Sequence, residues 1–173
     1  MMKALSLCLC ILFLLPFVSF AANPHDLEKL AQLEKNQVLR LDLSNTDLRR
    51  YPFTPGKIDL QQANMSHSDL SGVDLSKMNL GGVDLSYANL ANAKLNQVNL
   101  VGANLAHANL TGAQIQQSDL SRANLTCANL NQADLSKSTF NEANISGATF
   151  VNTNTAEIIG YASVSDSTVK CEG

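Results

Sequence analysis

The chain has 173 residues, the length of one domain, and 45% of them are hydrophobic although aromatics reach only 5% and Trp is absent. A core without large rings must be assembled from many small aliphatic side chains, because aromatics normally supply much of a core's buried area. Lys and Arg number 12 against 15 Asp and Glu, a net charge of −3, which excludes a strongly basic nucleic-acid binder.

Residues 1–21 read as an export signal. Lys3 is the positive start, Leu5 to Phe20 form an apolar run broken by Ser6, Pro16 and Ser19, and Ser19-Phe20-Ala21 supplies small residues for a cut after Ala21. The alternative is an uncleaved membrane anchor, against which the run is shorter than the roughly 20 uninterrupted apolar residues that a spanning helix prefers; once the leader is cleaved, no stable membrane insertion is expected. Cys8 and Cys10 each follow a Leu inside the apolar run, which argues against lipidation. The mature chain is therefore expected in the periplasm or outside the cell. It keeps Cys127 and Cys171, and an oxidising compartment permits a disulfide between them.

Residues 22–37 read as a short capping helix. Asn23 is an N-cap, Pro24 suits the first helical position and Asp26 favours the first turn. Leu27, Leu30, Ala31 and Leu33 make its apolar stripe, with Glu28, Lys29, Glu34 and Lys35 solvated. Residues 38–57 then read as an irregular first coil. Leu41-Asp42-Leu43, Thr46-Asp47-Leu48 and Tyr51-Pro52-Phe53 keep a five-residue spacing, and Thr54-Pro55-Gly56-Lys57 is a loop that shifts the register before Leu60.

From 58 to 153 the chain repeats every five residues. Apolar residues occupy nineteen consecutive positions from 60 to 150: Leu60, Leu70, Leu75, Leu80, Leu85, Leu90, Leu95, Leu100, Leu105, Leu110, Leu120, Leu125, Leu130, Leu135, Phe140 and Phe150, with Met65, Ile115 and Ile145. A small or aliphatic residue lies two positions earlier, and Asn or Asp lies between in most repeats. A helix needs apolar positions near every 3.6 residues and a strand needs strict alternation. Neither fits. A short extended Ala-Asn-Leu unit does, its first and third side chains pointing inward, followed by two residues that turn a corner with turn-forming chemistry such as Ser71-Gly72 and Thr111-Gly112. Such a stack is stable only as an array.

The Ala-[Asn/Asp]-Leu-[Ser/Thr/Ala]-x pattern resembles the pentapeptide repeat family over residues 58–153. The resemblance implies an all-β fold, a right-handed four-sided β-helix (a pentapeptide-repeat solenoid) with four repeats per coil, here with a short N-terminal capping helix. Nineteen repeats make nearly five coils, roughly 23 Å of stack at about 4.8 Å between neighbouring strands. Residues 154–173 lose the period and read as a tail or cap that folds over the last coil through Ile158, Ile159 and Tyr161. If they do not, the Phe end is an interface for a homodimer, as in related repeat proteins.

A twenty-residue coil places His67, Tyr87, His107 and Cys127 on one outward corner. His107 and Cys127 have the ligand types for zinc or copper, yet two ligands make a weak site and a third is not evident. A tail returning along the wall brings Cys171 to Cys127, and that disulfide leaves no thiolate for metal. Asn89, Asn109 and Asn129 are expected to stack, as are Asn104, Asn124 and Asn144, and Arg122 and Glu142 become neighbours one coil apart. Four sequons, at Asn64, Asn109, Asn124 and Asn144, fall out of the repeat consensus. No nucleophile elbow, phosphate-binding Gly loop or zinc spacing is present, so no enzyme activity and no cofactor are expected.

The expected function is that of an exported, non-enzymatic scaffold or binding module whose protein partner the sequence does not name. Nucleic acid is not expected as a partner. The alternative is a DNA mimic that inhibits or protects DNA gyrase, as the resemblance implies for some members. Against it, residues 58–153 hold seven acids (Asp59, Asp69, Asp74, Asp84, Asp119, Asp134, Glu142) and four bases (Lys77, Lys94, Lys137, Arg122). That charge is thin beside duplex DNA. Arg40, Arg49, Arg50 and Lys57 near the first coil read as a solvated rim. An ice-binding face would need a Thr column, and there is none.

Overall fold

The computed structural model describes residues 41–160 and Cys171. The capping helix expected at 22–37, the export signal and most of the tail lie outside the described residues. Among the described residues there is no helix and no extended strand. Each five-residue unit instead contributes a single parallel bridge, and the bridges join residue i to i+20 from Asn64↔Asp84 through Thr139↔Ile159. Four columns of bridge residues follow, one per face. The first face carries 64, 84, 104, 124 and 144, the second 69, 89, 109, 129 and 149. The third carries 74, 94, 114, 134 and 154, and the fourth 79, 99, 119, 139 and 159.

The earliest coil differs by a small amount. Asp42 pairs with Asn64 and Asp47 with Asp69, a separation of 22, so the loop at 54–57 holds two residues more than a standard corner. At the other end the period continues further than the residue types suggest. Asn154 pairs with Asp134, Ile159 pairs with Thr139, and Glu157 turns the corner between them. The apolar signal ends at Phe150 because Thr155 stands where Leu is usual, but the backbone of the coil below still templates the next rung. The bridged rungs therefore continue past 153 to Ile159.

Each corner is made by two residues, and the second always has a left-handed backbone, with φ between 56° and 71° from Gln62 to Glu157. Only the second is positive, the sign pattern of a type II turn, and the turn closes with bonds such as Ala103 N–H to the Leu100 carbonyl at 3.0 Å. No β-branched residue occupies the second position anywhere in this range, whereas Val101, Thr111, Thr126 and Val151 occupy the first. A branched Cβ at positive φ clashes with the backbone. Gly102 and Gly112 both have φ +67°, yet a Cβ on Gly102 meets nothing within 4 Å, while one on Gly112 falls 2.6 Å from Asn92 Oδ1. Gly112→Ala is therefore expected to destabilise by more than Gly102→Ala, whose cost is the left-handed preference alone, about 1 kcal/mol. Paired urea unfolding curves check the order.

The core is a narrow column of Leu, Ala, Val and Met, and every Leu from Leu43 to Leu135 is fully or almost fully buried. Phe140 is buried, but Phe150, expected in the core, is only partly buried against it. Ile159 and Val151 are exposed at that end, by 59% and 61%. Buried hydroxyls are satisfied within the stack. Ser118 Oγ accepts from Val98 N–H at 3.1 Å and donates to the Leu95 carbonyl at 2.6 Å. It thereby bridges a turn of the coil below, and Ser138 does the same for Ser118 N–H and the Ile115 carbonyl.

Candidate functional site

The corner between the first and second faces concentrates the chain's unusual side chains. His67, Tyr87 and His107 occupy its left-handed position on three successive coils, and their rings stack with centroids 4.8 and 4.6 Å apart and planes within 2°. The spacing matches the rise of one coil, so the backbone alone sets the ring separation. Tyr87 is 54% exposed. Cys127 follows in the same column and is disulfide-bonded to Cys171, with Cα atoms 5.6 Å apart. Cys171 Sγ lies 3.5 Å from the carbonyl oxygen of Gly147, the next residue of the column. The His107–Cys127 metal pair is thereby corrected: a sulfur bonded to another sulfur offers no thiolate. Among the described residues no three His, Cys, Asp or Glu side chains gather to hold an ion.

The Asp and Asn residues of the repeat have a second, structural chemistry. Their Oδ1 accepts the backbone N–H two residues on, as in Ser71 to Asp69, Ser86 to Asp84 and Thr111 to Asn109, at 3.0 to 3.2 Å. This Asx turn closes each corner from the side. The amide of an Asn then donates down the column: Asn89 to Asp69, Asn109 to Asn89, Asn104 to Asp84 and Asn124 to Asn104. Asn144 departs from the expected column and donates to Thr126 Oγ1 at 3.0 Å. An Asp accepts but cannot donate, so it suits the first rung of a ladder. Asp69 and Asp84 stand there. Where a bridge residue is not Asp or Asn, a neighbour substitutes: Gln116 N–H bonds Asn96 Oδ1 and Val151 N–H bonds Asn131 Oδ1.

Ion pairs lie on the surface. Arg49 bonds Asp47 at 2.6 Å and approaches Asp69 at 3.3 Å, and Arg122 bonds Glu142 one coil away at 3.0 Å with both side chains about 70% exposed. Such pairs contribute little. The bond from Arg49 holds the Asp47 carboxyl below the usual carboxylate range, and the Ser76 hydroxyl does the same for Asp74. At Asp134 burial pushes upward, but bonds from Ser136, Gln116 and Asn154 outweigh it and the carboxyl again sits low. Groups lowered in the fold stabilise it above their unfolded pKa, near 3.9, and that contribution is lost as pH falls through the folded values. The thermal midpoint is therefore expected to drop as pH is lowered below about 4, and Asp134→Asn to flatten part of that limb. A midpoint unchanged down to about pH 3 would contradict this assignment.

Charge is sorted by face. Beyond residue 84, Lys94 and Asp134 stand on the third face and Asp119 on the fourth. Arg122, Lys137, Glu142 and Glu157 stand on the two corners that follow those faces. Among the described residues beyond 84, the first and second faces and the corners that follow them hold none. Taking the charged positions modulo twenty would have found this division in the sequence, as the missing β-branched residues would have found the left-handed corner.

A profile of the family described as Pentapeptide repeats matches residues 57–86, 84–122 and 118–154, in 8 copies. The chain is similar to a pentapeptide repeat protein of the Arabidopsis thaliana thylakoid lumen, at 32% identity over 52% of this chain and 63% of that one, with a TM-score of 0.51. This chain thus spans less than two thirds of that protein's length. A pentapeptide repeat protein from Nostoc PCC 7120 is similar at 29% identity over 57% of this chain and 84% of that one, with a TM-score of 0.41. QnrB1, a plasmid-mediated fluoroquinolone resistance protein, matches at 20% identity over 68% of this chain and 71% of that one, with a TM-score of 0.39. No curated protein matches the sequence significantly. The likeness makes the stack a right-handed β-helix solenoid.

Proposed function

The chain belongs to the pentapeptide repeat family, and from that premise we propose that it is an exported, non-enzymatic scaffold and binding module. The disulfide between Cys127 and Cys171 carries the reading, because such bonds persist in oxidising compartments and are rare in the cytosol. The similar Arabidopsis protein is one of the thylakoid lumen, which is consistent with it. Among the described residues no helix is long and apolar enough to cross a membrane. The Asp side chains that would otherwise invite a catalytic reading are engaged as turn caps and ladder ends.

The same engagement weakens the gyrase-directed alternative. The acids crowded at 59–84 serve the first rungs of the stack, so their clustering needs no nucleic-acid-binding partner to explain it. Expression of the full-length gene, fractionation and intact mass under non-reducing conditions test the proposal. A species beginning at Ala22, outside the cytoplasm and lighter by two hydrogens, is expected. Full-length reduced protein in the cytosol that inhibits supercoiling would overturn it.

A further inference from the structure

The bond between Cys127 and Cys171 joins two sulfurs in unlike settings, and we propose that it is the substrate of a dithiol oxidoreductase that attacks Cys171 and loosens only the last rungs. This goes beyond the scaffold reading by adding a redox partner of stated chemistry, a protein with two neighbouring thiols. Cys127 is half-buried in its corner column. Its backbone is fixed by its own N–H to the Ser146 carbonyl and by Ala128 N–H to the Leu125 carbonyl, both at 2.9 Å. Cys171 is exposed. Exchange depends on access to the sulfur attacked, so the exposed sulfur receives the nucleophile and Cys127 is the leaving group.

The partner's thiolate bonds Cys171 Sγ as the bond to Cys127 breaks, and Cys127 departs as a thiolate with the bonding pair. The partner's second thiol, deprotonated, then attacks its own sulfur in the mixed disulfide and releases Cys171. Both released thiolates take up the protons that the partner's thiols gave up. The partner leaves as a disulfide, two electrons having passed to this chain. What makes the bond suited to reversible control is the solenoid around it, in which each coil rests on its neighbours alone. Asn144, Thr149, Asn154 and Ile159 donate to the coil beneath, at the carbonyls of Ala123, Ala128, Ala133 and Ser138. Those rungs lie inside the loop that the bond closes. Earlier coils keep neighbours on both sides, as in Leu85 N–H to the Asn104 carbonyl and Asp84 N–H to the Ala63 carbonyl. Opening the bond therefore leaves a folded stack with a looser end, and both redox states are usable structures.

The test mixes the purified oxidised chain with thioredoxin whose second active-site cysteine is replaced by serine, which traps the mixed disulfide. After iodoacetamide treatment and peptide mass mapping, thioredoxin is expected on Cys171 and the alkyl group on Cys127. With intact thioredoxin, the reduction rate is expected to rise in proportion to its concentration, because the native bond is attacked directly. A rate that levels off would mean that the bond opens only after local unfolding. That plateau, an adduct on Cys127, or no adduct would each overturn the proposal. Loss of hydrogen-exchange protection through the whole stack on reduction would overturn it as well, since no folded reduced state would remain. Fractionation decides export separately: a cytosolic chain that is still attacked at Cys171 keeps the exchange and loses the exported reading.

Discussion

Leu100→Ala is expected to lower the unfolding free energy by about 2–5 kcal/mol, the range for truncating a buried Leu in a core that collapses poorly. Leu100 sits mid-stack in a column with Leu80 and Leu120 above and below it, all three buried. The coil backbone is pinned by bonds to both neighbours, such as Leu100 N–H to the Asp119 carbonyl and Asn99 N–H to the Met78 carbonyl. It cannot close in to fill the void. Phe150→Ala removes more atoms but is expected to cost less than half as much, because Phe150 is only partly buried at the last rungs. Urea unfolding followed by circular dichroism measures both. Equal losses would mean that the end of the stack is covered as fully as its middle.

Cys127→Ser, or reduction of the bond, is expected to cost on the order of 4 kcal/mol, the chain-entropy value for a closed loop of this length. The two cysteines are 44 residues apart, and the loop includes the last rungs of the solenoid. Each coil of a solenoid rests on its neighbours alone, so the loss should fall on the rungs after Cys127 and leave the earlier coils protected. Hydrogen exchange with and without a reductant reads this directly. Amides such as Leu135 and Phe140, bonded upward to Asn154 and Ile159, should exchange faster in the reduced protein. Amides such as Leu85 and Leu90 should not change. Uniform acceleration through the whole stack would contradict a local staple.

The five-residue spacing made the coil, its inward Leu column and the stacked corner of His67, Tyr87, His107 and Cys127 legible before any coordinates. These features depend on local geometry repeated many times, and a repeated signal survives individual exceptions such as Met65 or Ile115. The ladder of Asn side chains was legible in the same way, but its partners were not. Asn144 turns to Thr126 because Thr126 offers a hydroxyl beside it, a choice between two nearby acceptors that register cannot rank.

By itself, then, the sequence determined the period, the inward face and the identity of the stacked columns, because each follows from side-chain alternation and from which residues tolerate a corner. Only the tertiary structure decided that the rungs continue to Ile159 and how the loop at 54–57 is absorbed. The last described rung is held by hydrogen bonds to the coil beneath it, from Asn154 N–H to the Ala133 carbonyl and from Ile159 N–H to the Ser138 carbonyl, although Thr155 stands where Leu is usual. The disulfide joins a periodic corner to an aperiodic tail, and contact across 44 residues is set by where the chain returns in space, which no local pattern encodes.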